Sequence, residues 1–109
     1  MKIISTGKTG DTMVVAVKGR MDAASAPDFE KNMGTWIDDG QRAFAVDLSE
    51  LDYISSAGLR AILSIAKKLK ALNGNLMIAS LKGSVKEVFE ISGFSAIIPI
   101  YDNVDAALN

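Results

Sequence analysis

The sequence predicts an α/β fold, a mixed sheet of about four to five strands with four helices packed mainly on one side. Three observations carry this. Apolar, β-branched runs of strand length recur at Thr12–Lys18, Ala43–Leu48 and Asn75–Ser80. Segments with apolar residues at helical spacing separate them. A stretch of turn chemistry at Gly7–Asp11 is all that divides the first two strand-like runs. Strands joined through helices pair in parallel with right-handed crossovers, and an opening hairpin makes the sheet mixed.

Taken in order, Lys2–Thr6 reads as a short edge strand, and Gly7–Asp11 as a turn leading into the central strand Thr12–Lys18. Gly19-Arg20-Met21-Asp22 leaves the sheet. Ser25 is an N-cap candidate, with Pro27 in the first turn where a missing N–H costs nothing. The helix runs to about Asp39, with Phe29, Met33, Trp36 and Ile37 toward the core and Gly40 ending it. Gly34 inside that helix implies close packing there or a weaker helix. Ala43–Leu48 is a buried strand, followed by a loop carrying carboxylates. Leu59, Ile62, Leu63, Ala66, Leu69 and Leu72 mark an amphipathic helix from Ser56 to Leu72, stopped by Asn73-Gly74. Its Lys67, Lys68 and Lys70 complement the helix dipole. Asn75–Ser80 is a strand and Gly83–Ser92 a short helix capped by Gly93. Ile97–Tyr101 is a last short strand, and Asn103–Leu108 a closing helix. The methionines belong to the core, and Phe94 to the core or its rim.

Composition narrows the function. The chain has 109 residues, which suits one domain spanning 1–109, and 49% are apolar, enough for a core without staples. A net charge of −1 argues against a nucleic-acid partner. No run approaches the roughly 20 apolar residues of a membrane span, and the polar start is unlike a signal peptide. With no cysteine, the composition suits the cytosol. With no histidine either, structural zinc is excluded and the commonest general base is missing. No metal or cofactor is expected, and nothing calls for an oligomer.

The stretch Asp47-Leu-Ser-Glu-Leu-Asp-Tyr-Ile-Ser-Ser-Ala-Gly-Leu-Arg60 poses the functional question. Ser55 and Ser56 stand side by side at a helix entrance, and three readings of them compete. One serine caps the helix, worth about 1 kcal/mol, which explains one serine but does not require two. A catalytic serine needs a base, and there is no histidine, no nearby lysine and no Gly-x-Ser-x-Gly elbow. A phosphorylation switch would add about −1.5 to −2 charges at a helix start, beside Asp22, Asp47, Glu50 and Asp52, and would act on a docking partner.

Residues 46–59, Val-Asp-Leu-Ser-Glu-Leu-Asp-Tyr-Ile-Ser-Ser-Ala-Gly-Leu, resemble the signature loop of STAS domains, in particular the bacterial anti-sigma factor antagonists. Val17–Asp22, Ala26–Glu30, Gly74–Ala79 and Val88–Phe94 resemble further elements of that family, in order and over essentially the whole chain. The resemblance implies a non-enzymatic partner switch. The unphosphorylated antagonist binds an anti-sigma factor and releases a sigma factor. The anti-sigma factor is also a serine kinase of the histidine-kinase-like ATPase type; its phosphorylation of the antagonist breaks the complex, and a PP2C-type phosphatase resets it. The acceptor serine of the pattern falls on Ser56, with Ser55 as its rival. Asp22, Asp47, Ser49, Ser55, Ser56, Gly58 and Arg60 fall on the partner-binding surface, Gly58 allowing close approach of partner or phosphate. Ser55 and Ala57 replace an aspartate and a serine of the familiar Asp-Ser-Ser-Gly form. Rival outputs are a STAS scaffold in a stress-sensing complex, a secretion or other signalling regulator, a nucleotide- or lipid-binding module, and a serine hydrolase.

Overall fold

The computed structural model describes all 109 residues, Met1–Asn109. The strands are β1 (Lys2–Thr9), β2 (Thr12–Met21), β3 (Ala43–Asp47), β4 (Leu51–Ile54), β5 (Asn75–Ala79) and β6 (Ile100–Tyr101). The helices are α1 (Ala26–Asp38), α2 (Ser56–Ala71), α3 (Gly83–Ser92) and α4 (Val104–Leu108). The main sheet runs β1-β2-β3-β5-β6, antiparallel at β1/β2 and parallel elsewhere.

Four strand assignments depart from the sequence reading. β2 does not leave the sheet after Lys18 but runs on to Met21, because Gly19, Arg20 and Met21 pair with β4. β1 runs on to Thr9 because a bulge between Ser5 and Gly7 absorbs the glycine without ending the pairing, so the turn shrinks to Gly10-Asp11. The last strand is only Ile100–Tyr101, since Phe94–Ala96 winds into a 3-10 turn and Ile98 drops into the core. The largest departure is β4, which lies in the segment read as a loop. It pairs in parallel with the far end of β2, Gly19 to Leu51, Arg20 to Tyr53 and Met21 to Ile54. β4 brings the strands to six.

The faces of the sheet differ. Met13, Val15 and Val17 of β2, Phe44 and Val46 of β3, and Leu76 and Ile78 of β5 point to one side. There they meet Phe29, Met33 and Ile37 of α1, Ala61, Ile62, Ile65 and Leu69 of α2, and Val85 and Phe89 of α3. The alternate positions Ala45, Met77 and Ala79 face the other side, where Ala107 of α4 covers them. Such strands are buried on both faces, which is why they read as continuous apolar runs. Three helices share one side and α4 takes the other.

The helix ends follow local chemistry. Gly93 ends α3 in the left-handed conformation, with φ 75°. Asn73 does the same for α2, with φ 62°. Gly74 then donates to the Leu69 carbonyl at 2.7 Å and Asn73 to that of Lys70 at 3.1 Å, the paired bonds of a Schellman motif. Gly74 has a second reason to be glycine, because a Cβ there would collide with the Arg42 carbonyl oxygen. Gly34 has open space around it, so the close-packing explanation does not hold and α1 simply tolerates it. Trp36 and Phe94 are half-buried against the core, Phe94 edge-on to Phe89 at 6.0 Å. Met13, Met21, Met33 and Met77 are buried, whereas Met1 is exposed.

Candidate functional site

The site is built where β2 outlasts β3. Past Ala16, which pairs with Asp47, β2 has no partner in β3. Its last residues hold β4 instead, helped by the Gly19 N–H donating to the Glu50 carbonyl at 3.0 Å. A surface ion pair between Lys18 and Glu50, at 3.0 Å, lies at the same junction. Asp47 makes the turn from β3 to β4, its Oδ1 accepting from the Ser49 N–H at 2.9 Å. Asp47 and Ser49 thus set the path of the chain toward the serines.

The end of β4 leads directly into α2, and the Ser55 N–H donates to the Met21 carbonyl at 2.9 Å. The start of α2 is thereby bonded to the end of β2. Ser55 is the N-cap, with extended backbone and its Oγ accepting from the Gly58 N–H at 3.2 Å. Ser56 is the first helical residue, exposed, and its hydroxyl takes part in no hydrogen bond. The two adjacent serines therefore have different jobs. The cap explains Ser55 and leaves Ser56 free. The cap falls on Ser55, which the sequence reading left undecided between the two serines, and the helix begins at Ser56 as expected. No histidine exists to activate Ser56, and no carboxylate or amine bonds to it.

Gly58 has a structural explanation that the sequence reading missed. A Cβ there would lie 2.8 Å from Ile54 Cγ1 and 2.9 Å from the Met21 carbonyl oxygen. The close approach it permits is to the chain's own β2 and β4, in place of an approach by partner or phosphate. Any larger residue would push the first turn of α2 off the sheet.

Asp22 follows β2 and holds the next turn. Its Oδ1 accepts from the N–H of Ser25 at 3.1 Å and of Ala24 at 3.0 Å, and lies 3.2 Å from Ser25 Oγ. Ser25 Oγ in turn accepts from the Asp22 N–H at 2.9 Å and reaches the Arg20 carbonyl at 3.0 Å. Ser25 thus precedes α1 as expected, yet its side chain locks the Asp22 turn and caps nothing. The Ser25 N–H bond, then the Ser25 hydroxyl, the Ala24 N–H and the nearby Arg20 charge, hold the Asp22 carboxyl below its ordinary range. Desolvation opposes them only in part. Asp22 lies next to Met21, whose carbonyl receives Ser55, so the structure brings Asp22 and the serines to one end of the sheet. Arg60 is exposed on the second turn of α2 and forms no ion pair.

Two residues of this surface escaped the sequence reading. Arg20 of β2 lies over the ring of Tyr53 of β4, 4.1 Å from guanidinium carbon to ring centroid. Their pairing depends on the β2/β4 register, which cannot be anticipated when β4 is read as loop. No group of three or more acidic, histidine or cysteine side chains gathers anywhere, and no helix is long and apolar enough to cross a membrane.

The hairpin followed by parallel crossovers, with a capped helix start at the strand ends, is the arrangement of a recognised family. A STAS domain model matches residues 4–107, and the chain belongs to the STAS domain family. Among its relatives is BtrV of Bordetella bronchiseptica, named as an anti-sigma factor antagonist, 39% identical over 104 residues that cover 95% of this chain and 90% of that protein. The crystal structure of an anti-sigma factor antagonist from Mycobacterium paratuberculosis superposes with a TM-score of 0.86 at 24% identity, covering 98% of this chain and 92% of the other. The Bacillus cell fate determinant SpoIIAA in its phosphorylated form superposes with a TM-score of 0.73 at 19% identity, covering 97% and 96%. These two likenesses are of fold.

Proposed function

We propose that this chain is an anti-sigma factor antagonist that switches partners through Ser56. One observation carries the reading. Of two adjacent serines at the start of α2, Ser55 is consumed by the cap while Ser56 is exposed with a free hydroxyl. The capping explanation leaves Ser56 without a structural task, and the nucleophile explanation lacks a base. A phosphate on Ser56 would stand at the positive end of a sixteen-residue helix, where a dianion is tolerated by the fold. It would change the charge seen by a partner without requiring the chain to rearrange. The 39% identity to BtrV over nearly the whole chain supports the antagonist role.

In this reading residues 1–109 work as one STAS domain in the cytoplasm, as a monomer, without nucleic acid or membrane contact. The unphosphorylated form binds an anti-sigma factor that is also a serine kinase of the histidine-kinase-like ATPase type. Phosphorylation of Ser56 breaks that complex and a PP2C-type phosphatase restores it. Ser56, Ser55 and Arg60 of α2 and Asp22 after β2 form the docking surface, with Asp47 and Ser49 supporting it from the β3–β4 turn and Gly58 seating the start of α2 against β2 and β4. The chain is a regulator and not an enzyme.

Intact-mass spectrometry after incubation with ATP and an anti-sigma factor of the histidine-kinase-like ATPase type from the same organism tests it. One added phosphate is expected, retained in Ser55→Ala and lost in Ser56→Ala. Loss in Ser55→Ala alone would move the acceptor. No phosphate from a kinase active on another substrate would refute the switch.

A further inference from the structure

β4 presents an exposed aromatic ring, Tyr53, with 38% of its surface open to solvent. The Arg20 guanidinium covers one face of that ring at 4.1 Å. The two residues face each other across the β2/β4 ladder, one pair away from Met21 and Ile54, whose successors Asp22 and Ser55 belong to the docking surface. Arg20 is exposed and forms no ion pair, and none of its guanidinium N–H groups has an acceptor in the chain. A planar fork of five donors thus sits over a ring with none of its donors spent within the chain.

We propose that Arg20, held in place by Tyr53, is a specificity-determining contact for the anti-sigma factor kinase, and that it receives a carboxylate of that partner. The inference rests on the antagonist reading and adds residues to it. Arg and Tyr are, with Trp, the side chains enriched among the residues that carry binding energy at protein interfaces. A guanidinium held over a ring has less rotamer freedom left to lose, so docking costs less entropy. Its free edge matches a carboxylate in bidentate geometry, which a lysine cannot reproduce. Tyr53 is a positioning residue: its ring face orients Arg20 and its hydroxyl makes no bond in the chain. Charge complementarity sets the partner's chemistry, an acidic side chain that docks beside Ser56.

The simpler alternative is a strap. Cross-strand pairs stabilise sheets, and Arg20 on Tyr53 would then only fasten β4 to β2. Calorimetric titration of the unphosphorylated full chain against the same anti-sigma factor ATPase separates the two. Arg20→Ala is expected to weaken Kd by about tenfold or more, and Arg20→Lys to fall on the same side. Tyr53→Phe, which keeps the ring, stays within about twofold. Tyr53→Ala weakens binding in the native background but adds little once Arg20 is alanine, because its effect passes through Arg20. Thermal melts of each variant run alongside. A lower Tm in Arg20→Ala with Kd within twofold of the native chain would establish the strap and overturn the proposal. So would an unchanged Kd joined to a raised phosphoserine pKa by phosphorus NMR, which would assign Arg20 to the chain's own phosphate. If the native chain shows no binding to the ATPase, the antagonist reading fails and takes this proposal with it.

Discussion

Ser55 and Ser56 illustrate how neighbours of one type are divided by a single hydrogen bond. The Ser55 hydroxyl answers the Gly58 N–H, one of the donors that every helix start leaves open. Removing it in Ser55→Ala is expected to lower stability by about 1 kcal/mol and Tm by about 5 °C. Ser56→Ala should change stability by less than about 0.5 kcal/mol, because nothing in the fold depends on that hydroxyl. Paired thermal melts check both values, and equal losses would mean the cap is shared. Asp22 makes a prediction in pH. Its carboxyl is held below its ordinary value of 3.8, so over the interval between the folded and unfolded values the unfolded chain binds more protons than the native one. The stability due to Asp22 is therefore complete above the unfolded value and is lost as pH falls through the folded one. Asp22→Asn keeps an acceptor oxygen for Ala24 and Ser25 but no charge. It should be less stable than the native chain at pH 7, and the gap should close below about pH 4. Urea unfolding across pH 3–7 measures it, and a gap independent of pH would mean that the charge contributes nothing.

At the scale of elements, β4 is a lightly held strand and also the one that leads into the site. It has a single strand neighbour, β2, and its two middle residues, Asp52 and Tyr53, are exposed. β3 lies between β2 and β5, and Phe44, Ala45 and Val46 are fully buried. Openings that expose β4 need not disturb the core. Amide hydrogens of Leu51–Ile54 should exchange about tenfold or more faster than those of Phe44–Val46, a difference that site-resolved hydrogen exchange would detect. Uniform protection would join β4 to the core as one cooperative unit. The fastening of α2 to this strand is tight by contrast. Gly58 lets the helix start touch Met21 and Ile54, and adding a methyl there meets atoms at 2.8–2.9 Å. Crowding of that kind costs about 1–3 kcal/mol.

For the whole molecule, the proposed switch residue and the core are separate. The main core of β2, β3, β5 and helices α1–α3 is entirely apolar, with no buried polar or charged residue. Ser56 lies outside it. Ser56→Asp should therefore keep the native melting temperature to within a few degrees while weakening binding to the anti-sigma factor kinase. Circular dichroism melts and binding titrations measure the two halves. A variant that unfolds would argue that Ser56 is structural, and one that binds as the native chain does would argue against charge as the switch. In the proposed reading, one end of the sheet bears the regulatory chemistry, the rest supplies a support, and a charge added at α2 reaches a partner through the surface with no rearrangement of the fold.

How much of this was legible beforehand follows from the range of the forces involved. Apolar periodicity is a local signal, and it was sufficient to assign all four helices and the buried strands β2, β3 and β5 within a few residues. Hairpin and crossover rules then implied a mixed sheet with helices mainly on one side. The motif around Ser56 carried the family, and with it the expectation of an acceptor serine. Tertiary contacts decided what lay beyond local reach. β4 is four residues with two of them exposed, too short and too polar to announce itself, and it is a strand because the end of β2 offers it hydrogen bonds. That pairing in turn stacks Arg20 on Tyr53, makes Gly58 obligatory against Met21, and lets the cap fall on Ser55. By itself the sequence determined the fold class and the two candidate serines. Only the folded chain decided which serine is spent on structure and which is free, because the point where the helix starts is pinned by the Ser55 N–H bond to Met21, on a strand thirty-odd residues away in the chain.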